Sequence, residues 1–288
     1  MINKWISAAR PRTLPTSIAP VILATTYAWQ EGKVNWTVFI ICMLFALAAQ
    51  IASNFANDYF DYKNGSDKPN RVGPRRAVAS GDIKPRTMLL ATILTLTIAA
   101  ILGCMLLPVG GWKLLLLGVI IILFALAYSA GPYPLSYHGL GEVTVFIFFG
   151  LVPVTTTYWL QTQTIELPVL LGAAAMGLLS SNILLVNNYR DYYTDREDGK
   201  RTSVVILGRK FAIVTYLLNG ILATALLCTT YIGAAFAILF LLLHVKTWRG
   251  LKTTVGTSLN AYIGLTARNQ LLFTLIYLAI QIIETIIK

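Results

Sequence analysis

Charge is what this chain has least of. Of its 288 residues only 12% are Asp, Glu, Lys or Arg, about half the share of an ordinary soluble domain. With 56% apolar residues and a mean hydropathy of +0.68, the composition excludes a water-soluble globule and requires an integral membrane protein. Cysteine is nearly absent: Cys42, Cys104 and Cys228 lie far apart, each inside an apolar run, so neither a disulfide framework nor a thiolate metal site is expected. The two histidines, His138 and His244, form no ligand pair. No Ser-His-Asp or Cys-His arrangement, phosphate-cradling glycine loop or dinucleotide fingerprint occurs, which leaves hydrolase and nucleotide-cofactor chemistry without support. The first twelve residues are polar and basic with no small-residue cleavage site after them, and read as an interfacial arm rather than a signal peptide.

The few charges are sorted along the chain. A net charge of +11 could point to nucleic acid, but with a cytoplasmic N-terminus 20 basic residues fall in inner segments and only Lys33, Lys113 and Lys288 remain outside. Positive-inside topology accounts for that asymmetry, so nucleic acid is not expected as a partner, and no obligatory protein partner is indicated. A span needs about 20 mainly apolar residues. Such runs occur at 15–30, 36–57, 87–107, 114–130, 143–160 and 167–186, then in the run 211–245, and finally at 269–283. The 35-residue run is too long for one crossing of a core about 30 Å thick and divides into two spans with a turn near 229–233. Gly131-Pro132-Tyr133-Pro134 breaks the chain after the fourth span, and Pro153 predicts a kink in the fifth. The expectation is an all-α integral membrane protein: nine transmembrane helices in one bundle, one domain over 1–288. It sits in the plasma membrane with a cytoplasmic N-terminus and active site and the C-terminus outside.

Two polar stretches close apolar runs. Residues three and four apart share a helix face, so Asn54, Asp58 and Asp61 form one stripe at the end of the second span. Asn187, Asp191, Asp195 and Asp198 form another at the end of the sixth. Each has an Asn four residues before its first Asp and is followed by Gly and Lys. A charge cluster at a helix end is ordinarily a solvated cap, but two such clusters in matching positions look like a duplicated half-bundle. Hard divalent cations such as Mg2+ take oxygen ligands and are shared between carboxylates and phosphates, so the pair reads as a metal-diphosphate site. Asn oxygens can ligate or hold an Asp in place. Lys68, Arg76 and Lys200 stand close enough in sequence to fold over a diphosphate, while topology alone explains Arg75, Arg86 and Arg209. A diphosphate site at a membrane surface fits a lipid with a diphosphate head and an apolar tail. Tyr128, Tyr133, Tyr158 and Trp159 are candidate walls for a carbocation, although aromatics near span ends are more often interfacial anchors. A divalent-cation transporter is the alternative of another class, disfavoured because both acidic motifs face one side and no span carries an acid at its middle.

The motif Asn57-Asp58-x-x-Asp61 with Asp191-x-x-x-Asp195 resembles the UbiA superfamily of intramembrane aromatic prenyltransferases. The fuller blocks Asn57 to Arg76 and Asn187 to Thr202, with the Arg10-Pro11-x-Thr13-Leu14-Pro15 arm and the Gly139-Leu140-Gly141-Glu142 turn, are similar to the branch whose acceptor is 1,4-dihydroxy-2-naphthoate. The resemblance implies a nine-helix bundle and Mg2+-dependent transfer of a polyprenyl chain from its diphosphate to that aromatic acceptor with loss of the ring carboxylate. Another acceptor, 4-hydroxybenzoate or a haem vinyl group, is the nearest alternative. It further implies that Asp58, Asp61, Asp191 and Asp195 bind Mg2+ with Asn54 and Asn187 in support. Substrate-binding positions carried over or adjoining them are Asn57, Asp67, Lys68, Arg71, Arg76, Asp198 and Lys200, with Arg12 and Tyr128 near the acceptor. Where many relatives have a basic residue after the fourth span, Ala130 to Tyr137 has none.

Overall fold

The computed structural model describes residues 2–65, 72–129, 133–227 and 231–287, and every regular element among them is helical. In order these are α1 (Ile2–Ala9), a 3-10 turn (Pro11–Thr13), α2 (Pro15–Gln30), α3 (Trp36–Lys63), α4 (Pro85–Cys104), α5 (Leu107–Gly110) and α6 (Lys113–Ser129). There follow α7 (Gly141–Phe146), a π-helical turn (Ile147–Leu151), α8 (Val152–Thr162), α9 (Leu167–Arg190), α10 (Tyr192–Glu197) and α11 (Ser203–Leu207). Last come α12 (Arg209–Leu227), α13 (Tyr231–Thr253) and α14 (Asn260–Ile287). Among the described residues six helical segments are long and apolar enough to cross a membrane: α3, α4, the Gly141–Thr162 rod, α9, α12 and the Gly256–Ile286 segment. Lys113–Tyr128 is a shorter apolar helix.

The helix starts follow from local chemistry. Pro15 and Pro85 sit in first turns, where a missing N–H costs little. The Asn35 side chain accepts the Val38 N–H at 3.1 Å to cap α3. Gly65 and Gly199, which end the two acidic stretches, both adopt positive φ, 69° and 72°, so the expected repeat extends to matching left-handed exits that glycine enters without steric strain.

At the centre lies α9, with 72% of its most apolar window buried. It shares a core with α2, α8, α12, α13 and α14 through Leu23, Tyr158, Met176, Ala223, Phe240 and Phe273. Lipid offers no hydrophobic drive between helices, so close approach and interhelical hydrogen bonds carry association. Both are present. A Cβ on Gly150 of the π turn would stand 2.3 Å from Gly177 Cα on α9. Asn182 donates to Tyr216 O at 3.0 Å, Asn219 to Asn182 at 2.9 Å and Asn269 to Thr247 at 2.8 Å. By contrast α4 and α6 turn Leu90, Leu94, Ile101, Leu116 and Leu123 outward.

Several boundaries differ from the sequence expectation. The second and sixth spans do not stop at their motifs: α3 runs on to Lys63, so Asp58 and Asp61 lie within it, and α9 runs to Arg190, with Asp191 at the junction to α10, so the second stripe is divided between two helices. The segment 246–268, expected as a loop, is mostly helix, with only 254–259 between α13 and α14. Nothing in Lys246 to Thr253 breaks a helix, and long basic side chains lay their stems along the helix while the charges reach outward. At 108–111 the expected turn is the short helix α5 and its exit. The irregularity near Pro153 is the π turn before it rather than a simple kink. Pro153 has no N–H for the Phe149 carbonyl four residues back, and Ser180 Oγ donates to that oxygen at 3.2 Å. The break at Gly131-Pro132, the turn at 229–233 in its first part, and Cys228 lie outside the described residues.

Gly150→Ala is expected to lower the unfolding temperature in detergent by several degrees, since overpacking costs about 1–3 kcal/mol. Gly118→Ala, where nothing stands within 4 Å of the new Cβ, should leave it unchanged; equal melting of the two variants would contradict the close crossing.

Candidate active site

The acid-bearing ends of α3 and α9 open onto one cavity of about 960 Å³. Asn54, Asn57, Asp58, Asp61 and Arg76 line it from one half of the chain, and Asn187, Asp191, Asp195, Asp198 and Lys200 from the other. Away from the acids its walls turn apolar, with Phe45, Leu107, Phe124, Phe148, Phe149 and Leu160. The two stripes therefore converge.

On the first stripe, Asp58 is 2% exposed. Its Oδ2 accepts the Ala77 N–H at 3.1 Å and its Oδ1 the Val78 N–H at 3.0 Å, so this carboxylate ties down the returning chain before α4. Asp61 pairs with Arg76 Nη2 at 2.6 Å. Asn54 Nδ2 donates to Ala9 O at 2.9 Å, fastening the N-terminal arm to α3 and leaving its amide oxygen for other partners. Asp67, Lys68 and Arg71 lie outside the described residues.

On the second stripe the pairing is denser. Arg190 grips both oxygens of Asp191, Nε to Oδ1 at 2.7 Å and Nη2 to Oδ2 at 2.5 Å. The same guanidinium donates to Asn187 Oδ1 and to Asn260 Oδ1, each at 2.8 Å. With its side chain 1% exposed, Arg190 joins α9 to the start of α14. Asn260 in turn donates to Val72 O at 3.1 Å, reaching the loop of the first stripe. Lys200 Nζ stands 3.7 Å from Asp195 Oδ1 and 4.6 Å over the Tyr137 ring. Burial pushes the Asp195 carboxyl up to about 6, against the opposing pull of Lys200. The Arg201 N–H donates to Tyr137 O at 2.8 Å, so the loop without a basic residue of its own is met by Lys200 and Arg201 from the second stretch.

Of the wall candidates, only Tyr128 lines the cavity. Tyr158 is fully buried in the central core and its hydroxyl bonds Glu31; Trp159 packs against the Val38 and Leu106 cluster; Tyr133 is exposed and stacked on His138. Their ring positions followed from rotation of the helices, which spacing near a span end does not fix. Arg12 lines the cavity as expected, and Arg10 beside it does too. Arg209 lies 4.1 Å over the Tyr189 ring, away from the cavity, whereas Arg75, set aside from the sequence, lines the cavity while pairing with Asp82 at 3.0 Å. Arg190 and Asn260 were missed: the first was visible as the neighbour of Asp191, whereas nothing local marks the second. Glu142, from the Gly139 turn, accepts from Asn188 at 2.9 Å and Ser203 at 2.5 Å, which makes it a tie between α9 and α11.

Among the described residues no three carboxylate, thiolate or imidazole side chains meet as a ready metal shell; each acid is held by a cation or a backbone amide. Such an arrangement still suits a hard cation, which keeps several waters and takes one or two carboxylates together with substrate phosphates.

Comparison with known proteins follows from this geometry. The sequence model described as the UbiA prenyltransferase family matches residues 17–263. The chain is 40% identical over 210 residues to the 1,4-dihydroxy-2-naphthoate octaprenyltransferase of Escherichia coli (strain K12), covering 71% of this chain and 68% of that protein. It is 38% identical over 232 residues to the protein of the same description in Mycobacterium leprae (strain TN), covering 79% and 78%. Among solved structures, the apo UbiA homologue from Aeropyrum pernix K1 superposes with a TM-score of 0.68 at 18% identity, over 93% of this chain and 98% of that one. A UbiA homologue from Archaeoglobus fulgidus bound to DMAPP and Mg2+ gives 0.67 at 11% identity, over 96% and 99%. At such identities the structures establish the fold alone.

Arg190→Met should destabilise the protein by about 3–5 kcal/mol, because it strands the buried Asp191 charge. Arg75→Met, at a side chain 69% exposed, should cost about 1 kcal/mol or less. Thermal unfolding of the two variants side by side checks the contrast.

Proposed function

Given that the chain belongs to the UbiA prenyltransferase family, we propose that it transfers a polyprenyl chain from polyprenyl diphosphate to 1,4-dihydroxy-2-naphthoate, with loss of the ring carboxylate as CO2 and release of diphosphate, giving the reduced, quinol form of demethylmenaquinone. The observation that carries this reading is the single cavity that is acidic and basic at one end and apolar along the rest. A lipid diphosphate has that same division. The names borne by the relatives at 38–40% identity favour the naphthoate among aromatic acceptors.

In this proposal Asp58, Asp61, Asp191 and Asp195 hold Mg2+, with Asn54 and Asn187 through their amide oxygens. The oxygen-only donor set, held here by Arg76, Arg190, Lys200 and the backbone amides of 77–78, fits that ion. Bound there, Mg2+ would neutralise diphosphate oxygens. Arg76 and Lys200, now paired with Asp61 and Asp195, are placed to pass to diphosphate oxygens as the leaving C–O bond breaks, together with Lys68 and Arg71. Asn57, Asp67 and Asp198 order the rim around them. Apolar walls keep water from the allylic cation and Tyr128 offers it a ring face. Arg12 lies near the acceptor. The six long apolar segments together with α2, α6 and α13 give nine crossings. Net positive loops put the N-terminus and the acids on the cytoplasmic side and the C-terminus outside.

Asp191→Ala and Asp58→Ala are expected to insert normally and to retain no more than about a few per cent of wild-type turnover, read as prenylated product from purified protein with both substrates. Substantial residual activity would count against a metal role. Offering 4-hydroxybenzoate beside the naphthoate checks the acceptor, and turnover of hydroxybenzoate alone would remove the present choice.

A metal ligand must be deprotonated. Since the free Asp195 carboxyl titrates near 6, a proton competes with Mg2+ below that pH and not above it. The Mg2+ concentration for half-maximal activity should hold steady from pH 8 to 7 and rise about tenfold per unit below pH 6. A flat response down to pH 5 would show that Asp195 does not ligate the metal.

A further inference from the structure

Two polar groups inside the cavity belong to none of the pairings above. Thr16, on the first turn of α2, is 5% exposed and its hydroxyl has no partner. Its carbonyl also lacks the usual donor, since the residue four positions on is Pro20. Gln50, on α3, has a buried Oε1 without a partner. Both side chains line the cavity. Other polar neighbours at this depth are occupied: Ser17 Oγ donates to Leu14 O at 2.9 Å and Asn54 Nδ2 to Ala9 O at 2.9 Å.

The two groups share a level. Helices α2 and α3 run antiparallel, and two contacts fix their register: Asn54 bonds Ala9 O just before α2, and Val21 packs in one cluster with Cys42. Thr16 and Gln50 both fall between those anchors. Gln50 lies on the stripe that carries Asn54 and Asp58, two turns deeper, about 12 Å along the axis from Asp58 at 1.5 Å per residue. That sets the pair away from the acidic end, among the apolar walls of the same cavity.

A buried polar atom without a partner costs about 1–3 kcal/mol, so the chemistry missing from these two atoms identifies what fills the space. Gln50 Oε1 needs a donor. The prenyl tail has no polar hydrogen, and an ionised diphosphate only accepts. A phenolic hydroxyl donates and accepts. Should the amide be turned over, its N–H2 would need an acceptor, which an alkyl chain again fails to supply.

We infer that Gln50 and Thr16 form the subsite for a ring hydroxyl of the aromatic acceptor and set its preference for hydroxylated rings. The inference rests on the proposed prenyl transfer and adds to it where the ring lies: between α2 and α3, two turns below the acids. These are specificity residues that touch substrate. They carry no part of the metal or diphosphate binding.

The test uses purified full-length wild type, Gln50→Met and Thr16→Val, with Thr16→Ser as the conservative variant. KM is measured separately for the naphthoate and for prenyl diphosphate, and naphthoates lacking one or the other ring hydroxyl serve as competitive inhibitors. Expected is a rise in acceptor KM of about tenfold or more in Gln50→Met and Thr16→Val, with prenyl diphosphate KM unchanged and Thr16→Ser close to wild type. The wild type should bind one mono-hydroxy analogue more weakly than the other, and Gln50→Met should erase that difference. Unfolding temperatures should hold or rise, since a buried unpaired polar group is removed. Unchanged acceptor KM, retained discrimination, or an equal rise in both KM values would overturn the subsite while leaving wild-type prenyl transfer in place. A wild type that prenylates no aromatic acceptor would instead overturn the function from which the subsite is drawn.

Discussion

Ionised carboxylates at the ends of apolar helices are the constraint from which the rest of this structure follows. An acid at that depth is tolerated only when paired or hydrogen-bonded, and here each is answered, Asp58 and Asp61 from the loop 15 to 20 residues on and Asp191 and Asp195 from close by in the sequence. Asp58 is answered by the backbone of 77–78, Asp61 by Arg76, Asp191 by Arg190 and Asp195 by Lys200. These pairings fold the loops after α3 and α9 back over the helix ends. Asn260, bonded both to Arg190 and to Val72 O, then ties the two halves together. The site is the place where two half-bundles, each satisfying its own charges, are joined through Asn260.

Such a set of pairs is stable without being inert. Removing one member strands a charge, while a ligand carrying both a cation and an anion can replace partners without leaving any unsatisfied. The metal-bound diphosphate of the proposed function would be a ligand of this kind, offering a cation to Asp61 and Asp195 and an anion to Arg76 and Lys200. The high carboxyl of Asp195, buried beside an amine that compensates it only in part, is where a further positive charge would be most welcome.

The apolar part of the chain divides by a different logic. Helix α9 lies at the centre, packed through glycine against the π turn and through Asn182, Ser180 and Gln270 against its neighbours. Hydrogen bonds and close backbone approach provide specificity where lipid removes the hydrophobic drive. Pro153 and Pro20 each leave a carbonyl without its helical donor. In one case Ser180 fills the gap. In the other the gap falls at Thr16, a residue of the cavity wall.

Much of this was legible in the residues themselves. Hydropathy gave a helical membrane protein because a lipid core accepts only backbones that satisfy their own hydrogen bonds, and the Asn-Asp spacing placed Asp58 and Asp61 on one stripe of α3 because the helical period is fixed, while the second stripe breaks at Asp191, with Asp195 on α10. Helix ends were less legible: α3, α9 and α13 run past their apolar segments, since basic side chains can lie along a helix without breaking it. Local sequence could not show that Tyr158 faces the core while Tyr128 faces the cavity, or that Asn260 bridges the halves. Those depend on how each helix is rotated and on which residues, far apart in the chain, are brought together, and such choices are settled by packing the whole bundle at once.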